Sequence, residues 1–246
     1  DVPLKNKIEE FRLREMNKDK LYSFMREMEF NRLLSSVISF YGDVNISEDK
    51  NKKEINKKFP KIENKNYILI NEEQEINNWL KEAEEYGEIA IDTETTSLDP
   101  HQAELVGISL STAIGKSCYI PIGHKKGKNL NEKNIIRKLK PILEDKSIKK
   151  IGQNVKFDFI ILYHRGINMN SLEDTMLMSY VLDAGKNRHN MDILSEIHLN
   201  HKTTSYKDLV GSGKKQINFS EVNISDAKNY AAEDADITFR LYKIFL

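Results

Sequence analysis

Four carboxylates, each set where an apolar strand ends or an apolar helix runs, constrain this chain more than any other feature of it. In GEIAIDTET the run Ile89, Ala90 and Ile91 reads as a short buried strand, and its period of two puts Asp92 and Glu94 on one face. In IGQNVKFDFIIL, Asn154 and Asp158 stand four apart at the start of a helix-like stretch with Val155, Phe159, Ile160 and Leu162, so both are expected on one face of its first turns. KNYAAEDADITFRL repeats the spacing with Tyr230 and Asp234, and Ile237, Phe239 and Leu241 continue a helix expected to be largely buried.

Taken singly, Asp92 reads as a turn or helix cap, Asp158 as a solvated or ion-paired helix residue, and Asp234 as part of a solvated Glu-Asp-Ala-Asp face. Taken together, in this order and with Asn154 and Tyr230 at helical spacing, they read as one metal site. Carboxylates converging to about 5 Å at an effective dielectric near 20 would repel by roughly 3 kcal/mol per pair. Two divalent cations would cancel that charge, and hard oxygen ligands suit Mg2+ or Mn2+.

Around these clusters the chain divides into three parts. Residues 1–41 carry Leu21, Phe24, Met25, Met28, Leu33, Leu34, Val37 and Ile38 at near-helical spacing, which predicts an amphipathic helix in need of a partner surface. Residues 42–65 are dominated by Lys, Asn, Glu and Asp, the composition of a flexible linker. From residue 66 onward the pattern predicts a short strand at 67–70, a helix through Trp79 and the strand bearing Asp92. Two further strands follow at 105–110 and 117–122, another lies in KKIGQN, and the remainder is chiefly helical. The class is α/β.

The balance of charge narrows the partners. With 38 basic and 38 acidic residues, no global field draws in a polyanion, so any binding of one must use local patches. KKGK at 125–128 reads as a solvated loop, and GSGKK around Lys214 and Lys215 could track phosphates but lacks the spacing of a nucleotide-binding loop. The single cysteine, Cys118, precludes an intrachain disulfide and fits a reducing cytoplasm. No apolar stretch reaches the length of a membrane span and no signal-peptide pattern opens the chain. His198 and His201, three apart at a helix end, offer too few ligands for zinc, while His124, His164 and His189 read as isolated surface or packing residues.

DTETTSLD, GQNVKFD and YAAEDAD, in that order, resemble the three motifs of the proofreading 3′-5′ exonuclease domain of the bacterial DNA polymerase I family, with tyrosine in the third. RHNMD, DTMLMSY and KTTSYKDLVGSGKKQINF resemble intervening stretches of the same domain, and the likeness covers residues 66–246. Residues 1–41 resemble the end of the 5′-nuclease region that precedes that domain. The resemblance implies a ribonuclease H-like mixed β-sheet flanked by helices, with the first segment as a helical appendage.

It also implies a two-metal hydrolysis that removes deoxynucleotides from a single-stranded or frayed DNA 3′ end. By similarity Asp92 would bridge both ions, Glu94 and Asp234 would complete the site holding the nucleophilic water, Asp158 would support the second ion mostly through waters, and Tyr230 would orient the water. Leu98 resembles a leucine that wedges against the terminal bases, ordinary core packing being its other reading. Tyr206 would stack on a base, and Gln153, Asn154 and Arg188 would contact sugar and phosphates. The chain opens on Asp1 and stops at Leu246, and so reads as a monomeric, cytoplasmic fragment of a longer polymerase, lacking its polymerase domain and with polymerisation absent. The rival expectations are a catalytically silent spacer domain and a ribonuclease D-like enzyme acting on RNA.

Overall fold

A computed structural model of the chain describes residues 12, 16–42, 60–62 and 66–246. Contacts divide the chain into two units, residues 1–50 and 51–246. Most of the span expected to be a linker lies outside the described residues.

In the first unit, helices α1 (Lys18–Glu27) and α2 (Asn31–Tyr41) replace the one helix expected. The break is at Glu29, whose φ of 55° no helix accommodates. Phe24 and Phe30 pack edge to face across the turn, and the Tyr22 hydroxyl donates to the Gly42 carbonyl at 2.7 Å. Asn17 caps α1 by accepting from the Lys20 N–H.

The second unit is built on a sheet. Strands β1 (Ile68–Leu69), β2 (Glu88–Thr95), β3 (Leu105–Ala113), β4 (Lys116–Pro121), β5 (Lys149–Gly152) and β6 (Leu172–Asp174) form six strands in the order β1-β4-β3-β2-β5-β6. β2, β3 and β4 pair antiparallel, and the other pairings are parallel. Helices α3 (Ile76–Tyr86), α4 (Glu132–Glu144), α5 (Lys156–Tyr163), α6 (Thr175–Asp183), α7 (Met191–Leu199), α8 (Tyr206–Val210) and α9 (Ile224–Phe245) complete it. Each boundary has a local cause. Gly87 ends α3 in the left-handed conformation, Asn131 caps α4, and the Asp174 carboxylate caps α6.

Alternation along the strands gives the sheet two unlike faces. Ile89, Ile91, Ile108, Leu110, Cys118 and Ile120 point to one side, where they form the main core with Trp79 of α3, Leu139 of α4 and Ile161 of α5. The opposite side is small and polar. Its cross-strand rows are Ala90 with Ser111 and Ser117, Asp92 with Ser109 and Tyr119, and Glu94 with Gly107 and Pro121. The long helix α9 crosses this side, burying Ala227 and Ala231 against Val106 and Tyr119. Small residues on both surfaces allow close approach, which brings a carboxylate on the helix within reach of carboxylates on the strand.

A buried network fixes α9 further. Asp236 accepts from the Gly115 N–H at 2.7 Å, the Tyr67 hydroxyl at 3.0 Å and the Arg240 Nε at 3.0 Å, and Arg240 donates to the Pro60 carbonyl at 2.6 Å. Asp236 and Arg240 are both sealed from solvent, so the pair is stabilised by geometry and by these extra partners. Ile62 packs beside Leu194, Ile237 and Leu241. Pro60 and Ile62, within the span expected to be linker, are therefore packed into the second unit.

Candidate active site

Asp92 and Glu94 leave the same face of β2, two residues apart, as the alternation predicts. Asp234 meets them from α9. Each of the three offers an oxygen such that all lie within 4.8 Å of one another. Tyr230, one helical turn before Asp234, lines the same cleft. Asp158 of α5 stands behind this group. It is 3% exposed, and its Oδ1 accepts from the Thr93 N–H at 2.9 Å and the Thr93 hydroxyl at 2.6 Å.

The electrostatics follow from crowding. Burial pushes the Asp92 carboxyl up to about 6. Glu94 is driven well above its ordinary range by burial and then by Asp92, Asp234 and Asp158. Asp158 rises through burial and Asp92, against the two Thr93 hydrogen bonds, and Asp234 rises through burial, Asp92 and Glu233. Burial and the neighbouring carboxylates also raise the Tyr230 phenol, so it stays protonated. Three carboxylate oxygens within 4.8 Å of one another are compatible with a hard divalent cation, which would relieve their repulsion.

The cleft over this group has a volume of about 790 Å³, with Leu98, Phe157, Tyr206 and Asn218 among its lining residues. Leu98 is 95% exposed, which excludes the core-packing reading. Tyr206 is 40% exposed and opens α8. Phe157, inside the second motif, escaped the sequence reading because it passes for one more apolar helix residue.

The other expected contacts lie apart from the cleft lining. Asn154 precedes α5 with a φ of 59°, so it does not share a helix face with Asp158. Its N–H donates to Asp174 at 3.0 Å, and it lines a separate, mainly apolar groove of about 750 Å³ beside Leu172, Met176 and Leu177. Gln153 spends its amide on the His189 carbonyl and the Thr175 hydroxyl. Arg188 is an exposed residue beyond α6. The histidines read as isolated have partners: His164 meets His101 at 3.2 Å, His189 meets Ser179 at 2.9 Å, and His124 is buried. His201 hydrogen-bonds Glu233 at 3.0 Å, and Lys125 pairs with Glu221 at 2.8 Å.

A family model described as 3′-5′ exonuclease matches residues 67–246. The chain belongs to the 3′-5′ exonuclease family. It is 42% identical over 198 residues to the DNA polymerase I of Rhizobium leguminosarum, covering 72% of this chain and 20% of that protein. It is 35% identical over 256 residues to the DNA polymerase I of Pseudomonas aeruginosa, covering 99% of this chain and 26% of that protein. The chain thus corresponds to the exonuclease part of DNA polymerase I homologues and spans about a fifth to a quarter of their length.

Solved structures share the exonuclease fold at low identity. The Trypanosoma brucei RNase D aligns with a TM-score of 0.58 at 13% identity, covering 73% of this chain and 64% of that one. The Aedes aegypti Nibbler EXO domain aligns at 0.56 and 13%, covering 75% and 89%. These likenesses show the ribonuclease H-like fold alone. Among the described residues, no helix is long and apolar enough to cross a membrane.

Proposed function

We propose that this exonuclease is a metal-dependent 3′-5′ deoxyribonuclease, the proofreading part of a DNA polymerase I, which shortens single-stranded or frayed DNA from its 3′ end. The observation that carries the reading is the convergence of Asp92, Glu94 and Asp234 within 4.8 Å at the base of a cleft. Two Mg2+ or Mn2+ ions held by these residues, with Asp158 in support, would supply an acidified water and neutralise charge on the phosphate.

The chain's own residues do the rest. Asp92, Glu94 and Asp234 would hold the ions from two rigid elements, so the reacting groups need not be gathered at the moment of reaction. Tyr230, kept protonated by burial and the neighbouring carboxylates, orients the attacking water as a donor and does not act as base. The water oxygen bonds to phosphorus as the bond to the 3′ oxygen of the preceding nucleotide breaks, and that oxygen leaves with a proton. Leu98 presents an apolar wedge to the terminal bases, and Tyr206 offers an aromatic face for one of them. A paired terminus must unstack to enter, at a cost of a few kcal/mol that a mismatch lowers. The protein would act as a monomer in the cytoplasm, alongside the polymerase domain of the full-length protein.

Gel-resolved digestion of 3′- and 5′-labelled single-stranded DNA with Mg2+ or Mn2+ tests this, with Asp92→Ala and chelator controls. A metal-dependent ladder shortening from the 3′ end and lost in the variant is expected. Equal or faster cutting of a matched RNA would overturn the DNA assignment, and no cutting by folded protein would leave a spacer role.

A further inference from the structure

His124 lies outside the acidic cleft, yet it joins the floor of that cleft to one of its walls. It is 5% exposed. Its Nδ1 lies 3.1 Å from the Val222 carbonyl, which can only accept, so Nδ1 carries the proton. Nε2 is then the acceptor for the Tyr119 hydroxyl, 2.7 Å away. The backbone of His124 is pinned as well, by a reciprocal pair with the Asn129 side chain at 2.9 and 2.7 Å.

Each end of this link reaches the site. Tyr119 shares a cross-strand row with Asp92 through Ser109. Its ring occupies the space left by the absent side chain of Gly107, which pairs with Glu94: a Cβ there would lie 2.0 Å from the Tyr119 hydroxyl oxygen. On the other side, the His124 ring lies 6.1 Å from Phe219, in the turn Phe219–Glu221 that ends beside Val222. Phe219 is sealed from solvent. It stacks on Tyr206 at 6.3 Å with rings only 8° from parallel, and touches Tyr230 at 6.1 Å.

We propose that His124, with Tyr119, is a positioning residue that sets the placement of Tyr206 through Phe219. The imidazole holds the turn through Val222, the turn holds the Phe219 ring, and that ring fixes the plane of Tyr206. Tyr206 has one face on Phe219 and an edge-to-face contact with Tyr230, and the rest of the ring, 40% exposed, is open to the cleft. Stacking of this kind is directional, and the aromatic wall is thereby ordered before any strand enters.

The test reads Tyr206 directly. 3-Fluorotyrosine placed at Tyr206 reports the ring current of Phe219, and the 19F resonance should move towards the free amino-acid position in Tyr119→Phe and in His124→Leu. Tyr119→Phe removes one oxygen and keeps the ring, so a folded protein is available even if His124→Leu fails. An unmoved resonance in folded Tyr119→Phe would overturn the proposal, whatever the nuclease does. The kinetic arm rests on the proposed function. In that arm Tyr119→Phe should raise KM for a single-stranded oligodeoxynucleotide about three- to tenfold, with kcat changed less, and should add nothing in a Tyr206→Ala background. Additive losses would mean general damage and would also overturn it.

Discussion

Asp158 accepts both the N–H and the hydroxyl of Thr93, the one residue between Asp92 and Glu94. The helix carrying the second motif is thereby latched to the strand carrying the first. Thr93 points to the opposite side of β2 from its two neighbours, and the pairing of β2 with β5 stops at Ala90, before the strand reaches it.

Removing that hydroxyl should loosen the latch without adding bulk. Thr93→Val is expected to lose about 1–2 kcal/mol of stability, since a buried carboxylate would lose one of its donors. Nuclease activity should fall more than stability implies, because Asp158 would shift relative to Asp92. Denaturant unfolding beside a digestion time course checks both.

Asp234→Asn should separate function from stability. In chelator the variant is expected to be about 1–3 kcal/mol more stable than the parent, because one of the crowded charges is gone. Hydrolysis should drop by about 100-fold or more. Mg2+ should raise the melting temperature of the parent by mass action and raise that of the variant much less. Thermal melts with and without Mg2+ distinguish the two proteins.

The metal-free stability has a definite pH dependence. Asp92 in the folded state is pushed up to about 6, against an unfolded carboxyl near 4. Between those values the folded state binds more protons than the unfolded one, so this contribution is present below about pH 4 and lost as the pH rises through about 6. Glu94, Asp158 and Asp234 shift in the same direction and should extend the loss to higher pH. Cation binding requires the deprotonated carboxylates, so affinity for Mg2+ should rise over the same window. Unfolding in chelator from pH 4 to 9, with Mg2+ titrations alongside, would show opposite slopes. A flat profile would mean that the carboxylates do not converge in solution.

Gly107→Ala should be costly although it adds only a methyl. The new Cβ would meet the Tyr119 hydroxyl oxygen at 2.0 Å, so the phenol must leave its place beside His124. Overpacking of this kind costs about 1–3 kcal/mol, and a drop in melting temperature is the expected readout.

The sequence made the site's carboxylates legible because their geometry is local. Alternation along a strand needs only two residues, and Tyr230 with Asp234 only one helical turn. What escaped was set by contacts distant in sequence. Asn154 looked helical by spacing, but its N–H is drawn to Asp174, twenty residues on, and its backbone turns left-handed. β6 is three residues long and its pairing with β5 leaves no periodicity to read. Gln153, expected by resemblance to contact sugar and phosphates, has its amide consumed by α6 and the chain before α7. His124 read as an isolated side chain because its partners, Tyr119 and Val222, lie on different elements.

The close seat of α9 on the sheet makes the distance between Asp234 and Asp92 depend on alanines and a glycine that carry no charge. The seat rests on Ala227 and Ala231 against Val106 and Tyr119, so a larger residue at Ala231 would lift the helix and part Asp234 from Asp92 without altering either carboxylate.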